Sequence, residues 1–399
     1  MALEDTSKMT RWMLPEGIEE TLPAQASVLE QLRRRLLDYY SSCGYEQVMT
    51  PFIEYLEALL AGSGRDLESQ TFKLSDGPSG RQLGIRADMT LQAARIDAHQ
   101  IKQDGPVRLC YLGTVLRTSS DGFAGSRAPM QVGAELYGHA GIDSDYEILE
   151  LMLNTLSVCS VKDVHIDLGH VGIFRRLATK AGLNSQQEQQ LFDALQRKAI
   201  PEINQILDTL KLDENISQCL SVLADLNGGV EVLQRARQAL SEAGDDVLAC
   251  IDDMQQISAL LNERMPALPV HYDLAELRGY SYQTGMVFAA FIPGYGQEIA
   301  RGGRYDDIGK IFGRARPATG FSADLKTLIN LSSDDSAVHL DSILAPATDD
   351  VDLRALISQL RQQGERVIVE LSGQKENAAE MKCHRVLRLV DGCWQVVTA

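Results

Sequence analysis

"VRLCYLGTVLRTSSDGFAGSRAPMQVGAELYG", residues 107–138, holds two apolar runs on either side of a polar loop, "TSSDGFAGSRAP". Both runs are short and bounded by Gly and Pro, which suits strands better than helices. Antiparallel pairing is the simplest connection between them. On the second run, alternation puts Gln131, Gly133, Glu135 and Tyr137 on one face, and Met130, Val132, Ala134 and Leu136 on the other. One face is core; the other is a polar floor.

Upstream, residues 22–43 predict a helix. Pro23 lies in its first turn, Val28, Leu29, Leu32, Leu36, Tyr40 and Cys43 recur at helical spacing, and Gly44 stops it. "YEQVMTPFIEY" is extended around Pro51, "QTFKLSDGPSGRQLGIR" predicts a hairpin, and "DMTLQAARIDAHQI" predicts a helix that Asp88 or Thr90 caps. Downstream, residues 172–267 are rich in Leu, Ala, Gln and Glu with helical periodicity and no convincing strand, predicting an insert of about five or six helices of ordinary length.

Strand character returns in "VHYDL", "LRGYSYQTGMVFAAF" and "GQEIARGGRYD", and "SADLKTLINL" predicts a closing helix, so the insert interrupts a strand-rich domain. The polar stretch "SSDDSAV" marks a boundary, beyond which a small strand-helix-strand unit ends in a hairpin at Asp391-Gly392. The expected organisation is α+β: a domain over residues 1–332 with the helical insert 172–267, then a small α/β domain over residues 338–399.

Composition narrows the function. With 399 residues, 44% hydrophobic and 23% charged, the chain has the make-up of an ordinary soluble globular protein with room for more than one core. No run approaches the roughly eighteen apolar residues of a membrane span, and "MALEDTSKMTRW" lacks an apolar signal core, so the expected location is the cytoplasm. The seven cysteines are scattered and never in Cys-x-x-Cys spacing, suggesting neither a disulfide frame nor a zinc site. Cys383 and His384 are neighbours, and neighbours on a strand point to opposite faces, so we expect no metal and no cofactor. Lys+Arg 38 against Asp+Glu 55 gives a net charge of −17, the wrong sign for gripping nucleic acid.

In "LRGYSYQTG" the same alternation puts Arg278, Tyr280 and Tyr282 together, with Gly279 and Ser281 leaving room. An arginine so placed suits a carboxylate, because its planar fork binds both oxygens. Gln131, Glu135 and Asp88 offer acceptors for an ammonium or a ring N–H. The set matches a zwitterionic ligand, against the plainer reading of buried polar groups that satisfy one another. The glycines of "FAGS" and "RGGRYD" serve turn geometry or cradle phosphate, but neither has P-loop spacing. His165, His170 and His271 lie in strand-like segments as packed residues.

"GYEQVMTPFIE", "LGIRADMT", "VRLCYLGTVLR", "MQVGAELYG", "ELRGYSYQTGMVF", "ARGGRYDDI" and "PATGFSADL" stand in the order and spacing of a known catalytic domain. The chain resembles histidyl-tRNA synthetase, a class II aminoacyl-tRNA synthetase, over roughly residues 12–330. The resemblance places that family's histidine pocket on Asp88, Thr90, Arg117, Gln131, Glu135, Arg278 and Tyr282, with Tyr280 joining by position where the family has an aliphatic residue, and Gln283 replacing a second tyrosine.

The resemblance fails on the nucleotide side. The family's Arg-x-Glu reads Arg117-Thr118-Ser119, and its Glu-Arg pair on the helix after Gly-Phe reads Lys326-Thr327. Lys326 does not substitute for the arginine, since one helical position is about 100° of rotation and lysine lacks the fork. The tail is short too, with about sixty residues where an anticodon-binding domain needs about a hundred.

An amino-acid site kept without its ATP grip resembles the synthetase-like regulatory subunits of ATP phosphoribosyltransferase. That likeness implies a non-catalytic chain that binds L-histidine as effector. It also implies a homodimer through the Pro51–Tyr55 region, joined to the short-form catalytic subunit in a hetero-octamer that makes the first step of histidine biosynthesis and is feedback-inhibited by histidine. The alternatives are a working histidyl-tRNA synthetase and a free-standing histidine sensor of another enzyme.

Overall fold

The computed structural model describes residues 12–61, 65–120, 125–277, 280, 282–333, 342–374 and 377–399, with backbone only at 65 and 66. The chain divides into two units, Met1–Asp334 and Asp335–Ala399.

The first unit is built on helix α1 (Pro23–Ser42), strands β1 (Glu46–Gln47), β2 (Ile53–Tyr55), β3 (Lys73–Ser75) and β4 (Gln82–Ile85), and helix α2 (Thr90–Ile96). Strands β5 (Val107–Thr114) and β6 (Met130–Tyr137), helix α3 (Ile142–Val158) and strand β7 (His165–His170) follow. The insert comprises helices α4 (Val171–Lys180), α5 (Ser185–Gln196), α6 (Ile200–Leu210) and α7 (Glu214–Val222), strand β8 (Asn227–Gly228), and helices α8 (Glu231–Ala239) and α9 (Asp245–Arg264). Strands β9 (Val270–Asp273), β10 (Met286–Phe291), β11 (Ala300–Arg304) and β12 (Ala318–Asp324) and helix α10 (Leu325–Asn330) complete the unit.

A nine-stranded sheet of order β1-β5-β6-β12-β11-β10-β7-β9-β8 runs through it. Its middle is antiparallel, and β5 pairs with β6 from Val107↔Tyr137 to Thr114↔Met130, as the alternation implied. One face is dry. Val132, Ala134 and Leu136 of β6 pack in one core with Leu29, Leu32, Leu36 and Tyr40 of α1 and Ile148, Leu149 and Met152 of α3. A buried hydrogen bond of 2.8 Å between Tyr40 and Thr155 ties α1 to α3.

Three expectations need correction. "LRGYSYQTGMVFAAF" is a strand only over Met286–Phe291. Tyr280 lies in a turn, its N–H donating to the Leu277 carbonyl, so strand alternation does not govern Tyr280 and Tyr282. "SADLKTLINL" does not begin as a helix, because Ser322 and Asp324 still pair in β12 with Gly133 and Gln131. The insert also carries a strand, β8, whose two residues extend the sheet beside Tyr272 and Asp273.

In the second unit, strands β13 (Ser342–Ala345), β14 (Arg366–Val369), β15 (Arg385–Val390) and β16 (Cys393–Thr398) form a sheet of order β14-β13-β15-β16 beside helix α11 (Val351–Gln362). The β15–β16 hairpin turns at Asp391 and Gly392, both at positive φ (49° and 78°), the geometry of a tight Asp-Gly turn.

Candidate functional site

The other face of the large sheet is polar at its centre. Across β5, β6, β12 and β11 the register sets Tyr111 opposite Gly133, Glu135 opposite Gly320, and Gly320 opposite Gly303. Two glycines make room there. A Cβ on Gly320 would stand 1.6 Å from Glu135 Oε2, and one on Gly133 would stand 2.6 Å from the Tyr111 hydroxyl.

Glu135 is 1% exposed. Its Oε1 accepts from the Tyr111 hydroxyl at 2.8 Å, and its Oε2 accepts from Tyr305. Burial pushes the carboxyl up to about 8, against the pull of the Tyr305 and Tyr111 donors and with the help of repulsion from Asp88. Burial and the Glu135 charge also raise both tyrosines well above the ordinary phenol range, so they stay donors.

The segment before α2 closes the site from the side. Thr90 N–H donates to Asp88 Oδ1 at 2.6 Å, Gln131 Nε2 donates to Asp88 Oδ2 at 3.1 Å, and Met89 N–H donates to Gln131 Oε1 at 2.9 Å. Thr90 Oγ1 lies 3.1 Å from the Tyr111 hydroxyl. Asp88, Thr90, Gln131, Tyr111, Glu135 and Tyr305 therefore form one continuous network.

Of the residues picked from sequence, Asp88, Thr90, Gln131 and Glu135 come together here. Tyr282 stands at the rim, 37% exposed, its ring edge-on to Tyr305 at 6.5 Å. Arg117 lies alongside, its Nε donating to the Ala87 carbonyl at 3.4 Å. Arg278 falls outside the described residues, as do Gly279 and Ser281.

Tyr280 does not join the network and is corrected as a pocket residue. Its ring packs against Phe174 and Phe192 of the insert, and its hydroxyl donates to Glu188. Sequence reasoning missed Tyr111 and Tyr305. The pairing register that sets Tyr111 opposite Gly133 would have found the first, whereas Tyr305 was hidden in "RGGRYD", a run read for its glycines.

The arginines in and after that run are tied into the fold among the described residues. Arg304 is buried on Asp145 (3.0 Å) and also meets Asp306 (3.1 Å); Arg316 pairs with Asp97 (3.1 Å), Arg314 with Asp104 (3.0 Å) and Arg301 with Glu298 (3.0 Å). At the head of α10 the expected arginine position is likewise committed. Asp324 accepts from the Lys326 and Thr327 N–H groups and the Thr327 hydroxyl (3.2, 3.3 and 2.7 Å), and from Met130 N–H (2.9 Å). Lys326 Nζ donates to the Ala128 carbonyl at 2.9 Å. These bonds stitch α10 to the β5–β6 connection. Among the described residues no group of three or more His, Cys, Asp and Glu could hold a metal ion, and no helix is long and apolar enough to cross a membrane.

A large, mainly antiparallel sheet with helices packed on its dry face is the class II synthetase-like fold of the solved structures it matches. The family described as histidyl-tRNA synthetase matches residues 17–328, and that described as the C-terminal domain of ATP phosphoribosyltransferase subunit HisZ matches residues 341–397. A solved structure from Bacillus halodurans, an ATP phosphoribosyltransferase regulatory subunit/histidyl-tRNA synthetase, superposes with a TM-score of 0.80 at 26% identity, covering 92% of this chain and 95% of that one. The ATP phosphoribosyl transferase (HisG:HisZ) complex from Thermotoga maritima shares the fold at a TM-score of 0.56 and 19% identity, over 74% of this chain and 96% of that one. The ATP phosphoribosyltransferase regulatory subunit of Thioalkalivibrio sulfidiphilus is 56% identical over 377 residues, 94% of this chain and 95% of the relative. The chain belongs to the family of ATP phosphoribosyltransferase regulatory subunits.

Proposed function

We propose that the chain is the non-catalytic, histidine-sensing subunit of a cytoplasmic ATP phosphoribosyltransferase, required by a short-form catalytic subunit for full activity and for inhibition by histidine. The observation that supports the reading is the buried network of Asp88, Thr90, Gln131, Tyr111, Glu135 and Tyr305, which stands where the resemblance puts an amino-acid site, while the helix head where it would put the phosphate-gripping arginine carries Thr327 with Asp324 and Lys326 bonded within the chain.

Histidine would set its ammonium by Asp88, Thr90 and Gln131, its imidazole by Glu135 and Tyr282, and its carboxylate on Arg278, with Arg117 alongside. A carboxyl poised near neutrality suits a ring that itself titrates near pH 6.5, because one proton is shared at little cost. Inhibition requires that histidine bind the inhibited assembly more tightly than the active one, by about 1–3 kcal/mol in a typical coupling.

Family likeness supports a homodimer through the Pro51–Tyr55 region. Phe52, Ile53 and Tyr55 are exposed there, a cluster suited to burial between copies. Two such dimers would join catalytic subunits in the hetero-octamer, with residues 1–332 as sensor domain and residues 338–399 as a separate small domain.

Reconstitution tests the proposal. Mixed with a short catalytic subunit, the chain should raise phosphoribosyl-ATP formation, and histidine should then lower it. Unchanged product formation on adding the chain would overturn the assignment.

A further inference from the structure

The loop that brings Tyr282 to the pocket rim is fastened two residues earlier to the helical insert. The Tyr280 ring lies 5.3 Å from Phe174 of α4 and 5.1 Å from Phe192 of α5, and its hydroxyl donates to Glu188 of α5. Arg175 of α4 stacks its guanidinium 4.5 Å from the centre of the same ring, and its Nη2 donates to the carbonyls of Tyr280 (2.6 Å) and Gln283 (2.8 Å). A short loop is thus clamped on both sides of Tyr282 by neighbouring helices of the insert. Gln283 is buried, at 6% exposure, and its Oε1 lies where a Cβ on Gly303 of the sheet would be 2.2 Å away.

We infer that Tyr280 is a positioning residue of the effector site, holding the Tyr282 loop and reporting pocket occupancy to α4 and α5. This rests on the proposed histidine site and adds its output element. A ligand that contacts Tyr282 from the pocket draws on a loop whose position is set by the insert, so either end biases the other. One feature points to transmission over simple packing: the anchor joins an aromatic ring, a hydroxyl and two backbone carbonyls to two different helices.

The test uses the full chain and L-histidine. Histidine binding by calorimetry and amide exchange over residues 171–196 would be followed for wild type, Tyr280→Phe, Tyr280→Ala and Arg175→Met. In wild type and Tyr280→Phe, which keeps the ring stack, saturating histidine should slow exchange in α4 and α5. Tyr280→Ala and Arg175→Met should bind histidine about tenfold or more weakly, and at saturation should leave exchange in the insert unchanged. Insert protection that persists at saturation in Arg175→Met or Tyr280→Ala, or that is absent in wild type that binds histidine, overturns the inference. Failure of wild type to bind histidine at all would instead overturn the site. Arg175→Met keeps the test decisive should Tyr280→Ala not fold.

Discussion

At the scale of the residue, Glu135 carries the most chemistry. Its carboxyl sits at about 8 against an ordinary 4.5, so the folded chain keeps a proton there that the unfolded chain releases anywhere between those values. The stability it contributes is therefore full below pH 4.5 and is lost as the pH rises through about 8. At about 1.4 kcal/mol per unit of separation, the effect is on the order of a few kcal/mol. Glu135→Gln removes the titration while keeping the shape. Relative to wild type its melting temperature should climb from pH 5 to pH 8 in a thermal-shift series, and its histidine affinity should fall at least tenfold, a typical loss for one charge-assisted bond. A melting difference that is flat with pH would show that the carboxyl is not held protonated. Gly320→Ala tests the same contact from the other strand. Its methyl would fall on Glu135 Oε2 and within 2.8 Å of the Ala134 carbonyl, so we expect a loss of about 1–3 kcal/mol in urea unfolding together with loss of histidine binding.

At the scale of the element, α10 is stitched to the strand and loop beside it. Asp324 caps this short helix and also accepts from Met130 N–H on β6, so Asp324→Ala gives up a cap and leaves a sheet donor unpaired. A cost of about 1–2 kcal/mol in chemical denaturation is expected, and a change below experimental error would mean the stitch is ornamental. The same region marks where sequence reading stops. β5, β6, α1 and the β3–β4 hairpin were legible because apolar period and turn residues agreed. β12 was not: Ala318–Asp324 has two small alanines and a glycine and few good strand formers, and its place between β6 and β11 comes from pairing with both neighbours. Tyr280 misled for the opposite reason, since alternating aromatic residues imitate a strand where the chain makes a turn anchored in the insert. Gln131 and Glu135 were readable because they lie on a regular strand, whereas Tyr305 sits just beyond β11 and reaches Glu135 only through the folded register.

At the scale of the whole molecule, two units carry separate cores, the second built on Ile343, Leu353, Ile357, Val367 and Leu387 around its own sheet. A net charge of −17 is a poor match for a polyanion. The account stands on one proposed asymmetry, an amino-acid site at the Glu135 network and, on the same sheet, a helix head whose Asp324 and Lys326 are taken by hydrogen bonds within the chain. Titration calorimetry of the purified chain with L-histidine and, separately, with Mg·ATP in the presence of histidine reads both halves at once. The account predicts saturable heat for histidine, reduced at least tenfold in affinity by Glu135→Gln, and no heat for Mg·ATP. Stoichiometric Mg·ATP binding on top of histidine, or no histidine binding at all, would contradict it.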